Sequence, residues 1–173
     1  MNKHRSACRK DTRIHKMIFC AAVLILLFAV LTAAFLYHRH DGYLVLSSEK
    51  TGKILARYPV RLSDIFSIGF VHSVNKTPVT DYYEIREDGI YVVKTVYYGF
   101  GAGVQTELGE GETLEYGDDG SMIVTGFDRR MDDLVYFVGT VSDHTLTLQN
   151  GQEISLRTLC GKNAMVRFSF EIL

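Results

Sequence analysis

A histidine and an aspartate stand on either side of a short predicted turn, at a spacing that could bring them together. His72 precedes the turn formed by residues 75–78, and Asp81 follows it. A hairpin closed symmetrically over this turn pairs Val74 with Val79 and places His72 opposite Asp81, with Cβ atoms roughly 4.5–5.5 Å apart. The carboxylate could then accept a hydrogen bond from an imidazole N–H. It would favour the charged imidazolium, whereas burial would disfavour it.

A lysine on the next predicted strand extends the same sheet face. Asp88-Gly89 is a two-residue hairpin signal, and a turn there places Lys94 diagonally beside Asp81. The sequence therefore predicts a polar cluster of His72, Asp81 and Lys94 on an otherwise apolar face. This cluster is either a ligand-binding or catalytic pocket or a satisfied polar patch at the rim of a core, because buried polar groups need partners.

Nucleophilic catalysis and metal binding are two further chemistries that residues near His72 could support. Ser73 follows His72 directly, so the two side chains point to opposite faces of a regular strand and cannot form a nucleophile–base pair there. Metal binding by His72, Asp81 and His144 lacks the spacing of a standard zinc site. The sequence predicts no catalytic residue, no metal and no cofactor, although an enzyme that uses His72 and Asp81 as an acid–base pair stays an alternative.

A dense glycine stretch, Gly99-Phe100-Gly101-Ala102-Gly103, follows a predicted strand. A phosphate cradle needs a helix directly after the loop, and residues 104–107 show no helical pattern. A turn that requires positive φ or close backbone approach explains the glycines. The alternative is a mobile loop that closes over a pocket or partner, with Ser73, Gly101 and Gly103 as further candidate contact residues.

From residue 41 onward, short alternating runs separated by Gly, Asp and Asn indicate strands and turns. They predict an all-β fold, a small antiparallel β-sandwich or barrel. A turn at Asn150-Gly151 is expected to pair Leu146 with Leu156. The predicted strands cover residues 43–48, 53–60, 65–74, 79–87, 90–98, 112–116, 121–127, 133–141, 144–149, 153–158 and 165–172.

An apolar, uncharged run covers residues 17–37, and about 20 such residues span a bilayer. Six Lys/Arg and one Asp precede it in residues 1–16. Positive-inside bias therefore predicts a cytoplasmic tail at 1–16, one transmembrane helix at 17–37, a linker at 38–42 and an extracytoplasmic β domain at 43–173 in the cell membrane. The alternative is a cleaved secretion signal, since Thr32-Ala33-Ala34 loosely matches a cleavage pattern.

The β domain is acidic, which excludes one class of partner. Residues 41–173 carry 12 Lys/Arg and 19 Asp/Glu. Nucleic-acid binding requires Lys and Arg to neutralise phosphates, so the sequence predicts no nucleic-acid partner. The apolar run predicts the lipid bilayer as a partner. Cys160 is the single cysteine in this segment, so no disulfide can form within it.

Several of these residues together resemble a small bacterial family called "domain of unknown function 1850", over roughly residues 43–135. The motif consists of His72-Ser73-Val74, Pro78-Val79, Asp81, Tyr83 and residues 99–103. Family members commonly carry Glu where this chain has Asp81. They are often encoded beside tripartite ATP-independent periplasmic transporters.

The resemblance implies a membrane-anchored accessory or binding module for a secondary transporter of small organic acids. Its partner would be the transporter membrane subunit or a solute-binding protein. The alternatives are a small-molecule sensor or enzyme that uses the His72–Asp81 pair, and a structural envelope protein. A packed cluster with an exposed apolar patch elsewhere would favour the partner-binding module.

Overall fold

A computed structural model describes residues 3–37, 39–74, 76–99 and 108–173. The first element is a long helix, α1, at Lys3–Tyr37. Its segment His15–Phe35 has 21 residues and a mean hydropathy of 2.9. The Thr32 hydroxyl donates to the Phe28 carbonyl at 2.7 Å, so its polar group is satisfied within the helix. This helix has the length and composition of a membrane anchor or of a signal sequence.

The remainder, His40–Leu173, is a second compact unit built of antiparallel strands. It contains a four-stranded sheet, ordered β2-β1-β11-β8, and a seven-stranded sheet, ordered β10-β9-β3-β4-β5-β7-β6. The predicted β-sandwich after an N-terminal apolar helix is confirmed. The described strands are β1 Gly42–Ser48, β2 Ile54–Val60, β3 Ile65–Val71, β4 Pro78–Arg86, β5 Gly89–Tyr97, β6 Thr113–Tyr116, β7 Met122–Arg130, β8 Leu134–Val138, β9 His144–Thr147, β10 Glu153–Ser155 and β11 Ala164–Ile172.

One predicted strand is shorter than expected, because a helix begins inside it. Residues 153–158 were expected to be extended, but β10 ends at Ser155 and a short helix, α2, follows at Leu156–Cys160. Ser155 is the N-cap and accepts a hydrogen bond from the Thr158 amide, as serine commonly does at a helix start. Leu156 is fully buried, so α2 adds to the core.

The core lies between the apolar faces of the two sheets. Phe66 of β3 stacks on Tyr83 at 5.2 Å and on Phe168 at 6.2 Å between ring centroids, which joins the two sheets. Along each strand the core residues occupy every second position, because successive side chains of a strand point to opposite faces of the sheet. Other fully buried members include Leu44, Leu46, Ile68, Ile85, Val138, Leu146 and Val166.

The hairpin between β3 and β4 closes in a different register from the predicted one. Phe70, rather than Val74, lies opposite Val79. Strand β3 ends at Val71, and the His72 amide donates to the Thr77 carbonyl at 2.9 Å, so the chain turns over a wider span than predicted. The observed register differs from the predicted one by an even number of residues, so the same side chains face the core while their cross-strand partners change.

The next hairpin differs for a local reason. Its turn is Glu87-Asp88, because Arg86 pairs with Gly89, whose φ is 150°. A bulge at Val93 then shifts the pairing along β5. As a result Lys94 lies opposite Tyr82 rather than beside Asp81.

The third predicted hairpin also has a different register. Leu146 lies opposite Ile154 rather than Leu156. The turn is closed by a bond from the Gly151 amide to the Leu148 carbonyl at 2.8 Å. Gly151 has a φ of 81°, a conformation that glycine adopts without steric cost.

The two ends of the sandwich carry different parts of the chain. At one end Gly42 pairs with Ile172, and at the other end of β11 Ala164 pairs with Val138. We call the second end the loop end, defined by residues 72–74, 76–77 and 139–143. These two loops touch, since the Ser142 hydroxyl donates to the Val71 carbonyl at 2.9 Å.

Candidate functional site

The structure does not bring His72, Asp81 and Lys94 together. His72 lies in the turn after β3, where its Nδ1 accepts a hydrogen bond from the Val74 amide at 3.3 Å. Lys94 lies with its Nζ 3.9 Å from the centroid of the Tyr82 ring. Asp81 pairs with Ile68, a fully buried residue, and so lies on the inner face of the sheet. The predicted cluster is therefore wrong in its geometry.

Asp81 instead belongs to a closed network of hydroxyl groups. Tyr136 donates to its Oδ2 at 2.6 Å, and Thr95 donates to its Oδ1 at 2.8 Å. The hydroxyls of Tyr83 and Tyr136 lie 2.7 Å apart. Because Tyr136 gives its proton to Asp81, Tyr83 must be the donor in this second bond.

The two tyrosines stay protonated in this network. Burial raises the pKa of Tyr136, and the neighbouring Tyr83 and Asp81 raise it further. Burial and the charge of Asp81 likewise raise the pKa of Tyr83. The network supplies each carboxylate oxygen with a donor, so Asp81 is a satisfied polar group inside the sandwich.

A cavity opens at the loop end, and we call it the end pocket. Its volume is about 410 Å³. Its polar lining residues are His72, Ser73, Thr140, Ser142 and His144. Apolar groups complete its lining, contributed by Phe70, Val71, Phe137 and Val141.

His144 is the most deeply placed polar side chain of the end pocket. It is 8% exposed, and its ring stacks on Phe70 at 4.9 Å between centroids. The Tyr136 ring meets it edge-on at 5.8 Å. Within the described part of the chain its Nδ1 is buried without a hydrogen-bond partner. Burial lowers the pKa of His144; Asp143 opposes this and Arg157 adds to it.

Asp143 holds the backbone amide of this histidine and that of Arg157. Its Oδ1 accepts from the His144 amide at 2.7 Å and from the Arg157 amide at 3.0 Å. Its Oδ2 accepts from the Ser155 hydroxyl at 2.5 Å. Burial raises the pKa of Asp143, but these hydrogen bonds outweigh it and leave the pKa below its usual value. Asp143 thus ties the start of β9 to the start of α2.

The glycine stretch begins at the same end of the molecule. A Cβ added to Gly99 would lie 3.6 Å from Cγ2 of Thr77, in the turn that carries His72. Gly101 and Gly103 lie outside the described residues. Gly99 therefore lies against Thr77, whose carbonyl accepts from the His72 amide.

The sequence alone did not assign His144 and Tyr136 to a binding site, although His144 lines the end pocket and Tyr136 packs against it. His144 had been considered only as a metal ligand, and Tyr136 lies 55 residues from Asp81. The alternating pattern of β8 indicates that Tyr136 faces inward, but no local spacing joins it to β4. Among the described residues, no three His, Cys, Asp or Glu side chains are placed to hold a metal ion.

The fold and the site define a class of protein, a β-sandwich with a pocket at its loop end, preceded by an apolar helix. Comparison with known families gives the match: the family described as "Domain of unknown function (DUF1850)" covers residues 66–156. This is more than half of the chain, which therefore belongs to that family. The match runs from β3 to the start of α2 and includes His144, beyond the range expected from the motif. No curated protein and no solved structure matches the chain.

Proposed function

We propose that this protein is a membrane-anchored extracytoplasmic binding module that assists a transporter of small organic acids. Its loop end is the contact surface. The observation that carries this proposal is the exposure of apolar side chains around the end pocket. Val141 is 81%, Val74 65% and Phe137 55% exposed. Apolar groups gathered at a surface and rimmed by polar residues are typical of protein–protein contact sites.

The closed state of the Asp81 network supports partner binding over catalysis by the predicted trio. Its carboxylate accepts from both Tyr136 and Thr95, so each oxygen already has a donor within the protein. His72 lies outside this network, in the turn between β3 and β4. An acid–base pair needs its two members within hydrogen-bond reach of the same proton.

The helix α1 supports the anchoring role. Six Lys/Arg in residues 1–16 precede its uncharged apolar run at residues 17–37, and such a bias retains the N-terminus in the cytoplasm. A single helix cannot form the midplane substrate site of a secondary transporter, which is built from helix repeats. The module would therefore work beside a multi-span membrane subunit or with a solute-binding protein.

The position of the loop end also suits contact with a partner. The chain enters the sandwich at Gly42, and β1 has seven residues. At about 3.3 Å per residue, the loop end lies roughly 20 Å from that entry. The described residues of this end, 72–74, 76–77 and 139–143, thus lie opposite the chain entry along the strands.

Capture from detergent extracts tests this function. The full-length protein, tagged and expressed at its native level, is extracted in mild detergent, and its companions are identified by mass spectrometry. We expect a transporter membrane subunit or its solute-binding protein with the wild type. We expect its loss with Val141→Asp and with His72→Ala, both at the loop end.

A matched control separates a specific contact from a general loss of solubility. Ile172 is 60% exposed and pairs with Gly42 at the other end of the sandwich, so Ile172→Asp should leave capture unchanged. Equal recovery with all variants would reject the loop end as the contact surface. Recovery of only unrelated proteins would reject the transporter role.

A further inference from the structure

We infer that the end pocket binds a small molecule through a carboxylate group, with the His144 imidazole as its principal contact. This inference deepens the proposed function, because the pocket opens at the same loop end. It names the chemical class of the ligand, and its test needs no protein partner.

The first argument is the state of the His144 side chain. It is more than nine-tenths buried, yet its Nδ1 has no hydrogen-bond partner among the described residues. Buried polar atoms in folded proteins are nearly always paired, so an unpaired one requires an explanation. A bound ligand would supply the missing bond.

The second argument is that the ring is held in place before any ligand arrives. Phe70 stacks on one side of His144 at an interplanar angle of 22°, and the Tyr136 ring abuts it at 64°. The hydroxyl of Tyr136 is itself fixed by Asp81. Asp81 is therefore a positioning residue, which acts on the pocket through Tyr136. Such pre-organisation lowers the entropy lost on binding.

The charge of the end pocket favours an anionic ligand. The described lining of the end pocket contains two imidazoles and three hydroxyls but no Asp or Glu, in a segment with 19 Asp/Glu and 12 Lys/Arg. The turn that carries His72 also carries Lys76. The acid nearest in sequence, Asp143, lines a groove on the outer face of the sheet and already accepts three hydrogen bonds. Imidazole and hydroxyl donors suit a carboxylate acceptor.

The fourth argument is size and apolar lining. A volume of about 410 Å³ falls in the range of small-molecule pockets. Phe70, Phe137 and Val141 offer apolar surface for the rest of the ligand. A short-chain organic acid satisfies both requirements.

Direct binding to the purified full-length chain in detergent tests this inference. The probes are acetate, butyrate, succinate and glutamate, each compared with its neutral amide, and with inorganic phosphate. Calorimetry measures affinity, and the imidazole NMR signals report the site. We expect at least one carboxylate to bind saturably and to shift the His144 signals. The affinity of its amide should be lower by roughly tenfold or more, as the loss of a charged hydrogen bond predicts.

Two variants make the test specific. His144→Phe keeps an aromatic ring against Phe70 but removes both nitrogens, and should weaken carboxylate binding roughly tenfold or more. His40→Phe is the matched control, because His40 also has a buried Nε2 without a partner but packs on Tyr43 at the other end of the sandwich. It should bind as the wild type does.

Each alternative outcome has a defined meaning. Equal binding of amides or of phosphate would overturn the carboxylate selectivity, and undiminished binding by His144→Phe would overturn the site. Absence of binding by all probes would overturn the inference as a whole. Carboxylate binding without capture of a transporter subunit would leave this site standing and overturn only the partner role.

Discussion

Two polar groups lie inside the same sandwich beside the same tyrosine, and they differ in how they are satisfied. Asp81 accepts from Tyr136 and Thr95, both within 2.8 Å. His144 packs against the ring of Tyr136, but its Nδ1 has no partner in the described chain. The Asp81 network therefore stabilises the interior, whereas the His144 side of Tyr136 is where we infer that a ligand binds.

The largest expected effect comes from breaking the closed network. Asp81→Ala would leave the hydroxyls of Tyr136 and Thr95 without their acceptor, and should lower the free energy of unfolding by about 3 kcal/mol. Denaturant unfolding of the full chain measures this. Asp128→Ala is the control, because its partner Arg86 is also bound by Glu84 and Asp128 is 76% exposed. An equally small effect of both variants would contradict the assigned role of the network.

An effect of intermediate size is expected from His144, which should make the stability of the folded chain depend on pH. Burial lowers the pKa of His144 in the folded chain, with Arg157 adding and Asp143 opposing, so below about pH 6.5 the unfolded chain binds more protons. Stability is therefore full above the unfolded pKa and is lost as pH falls through this window. His144→Phe removes this dependence.

Thermal unfolding at about pH 7.5 and pH 5 measures the difference. The wild type should lose more of its Tm on acidification than His144→Phe. Asp143 stays charged across this range, because its pKa lies below the usual value. Parallel losses in the two proteins would show that His144 is not held neutral by burial.

The smallest effect is expected at Lys94, which the sequence had placed in the site. Its ammonium lies over Tyr82, a contact that contributes about 0.5–1 kcal/mol at an exposed position. Lys94→Ala should change stability by no more than this and leave both carboxylate affinity and partner capture as in the wild type. A loss of either, measured by calorimetry or capture, would extend the site to the outer face of the sheet.

The strands were predictable because the pattern that defines them is local. Alternation of apolar and polar residues along β3 and β4 identifies both strands and the face that each turns to the core. The same alternation cannot measure the offset between strands, since any even shift keeps the faces correct. Asp81 was therefore placed on the right face with the wrong neighbours.

The site was predictable only in part for a related reason. His72, Ser73 and the start of the glycine stretch lie at one end of the sandwich, as expected of a shared motif. Their relation to His144 depends on how the chain turns after β3, where the His72 amide bonds the Thr77 carbonyl. No sequence pattern predicted that bond.

By itself, the sequence determined the apolar helix, the strand faces and the acidic character of the β domain, because each depends on residue type and on spacing within one element. The tertiary structure alone decided which side chains meet. Tyr136 reaches Asp81 across 55 residues because the two sheets pack face to face, and that packing leaves Asp81 satisfied and the buried Nδ1 of His144 without a partner among the described residues. Contacts between sheets are set by the shape of the whole core, and no local pattern carries that information.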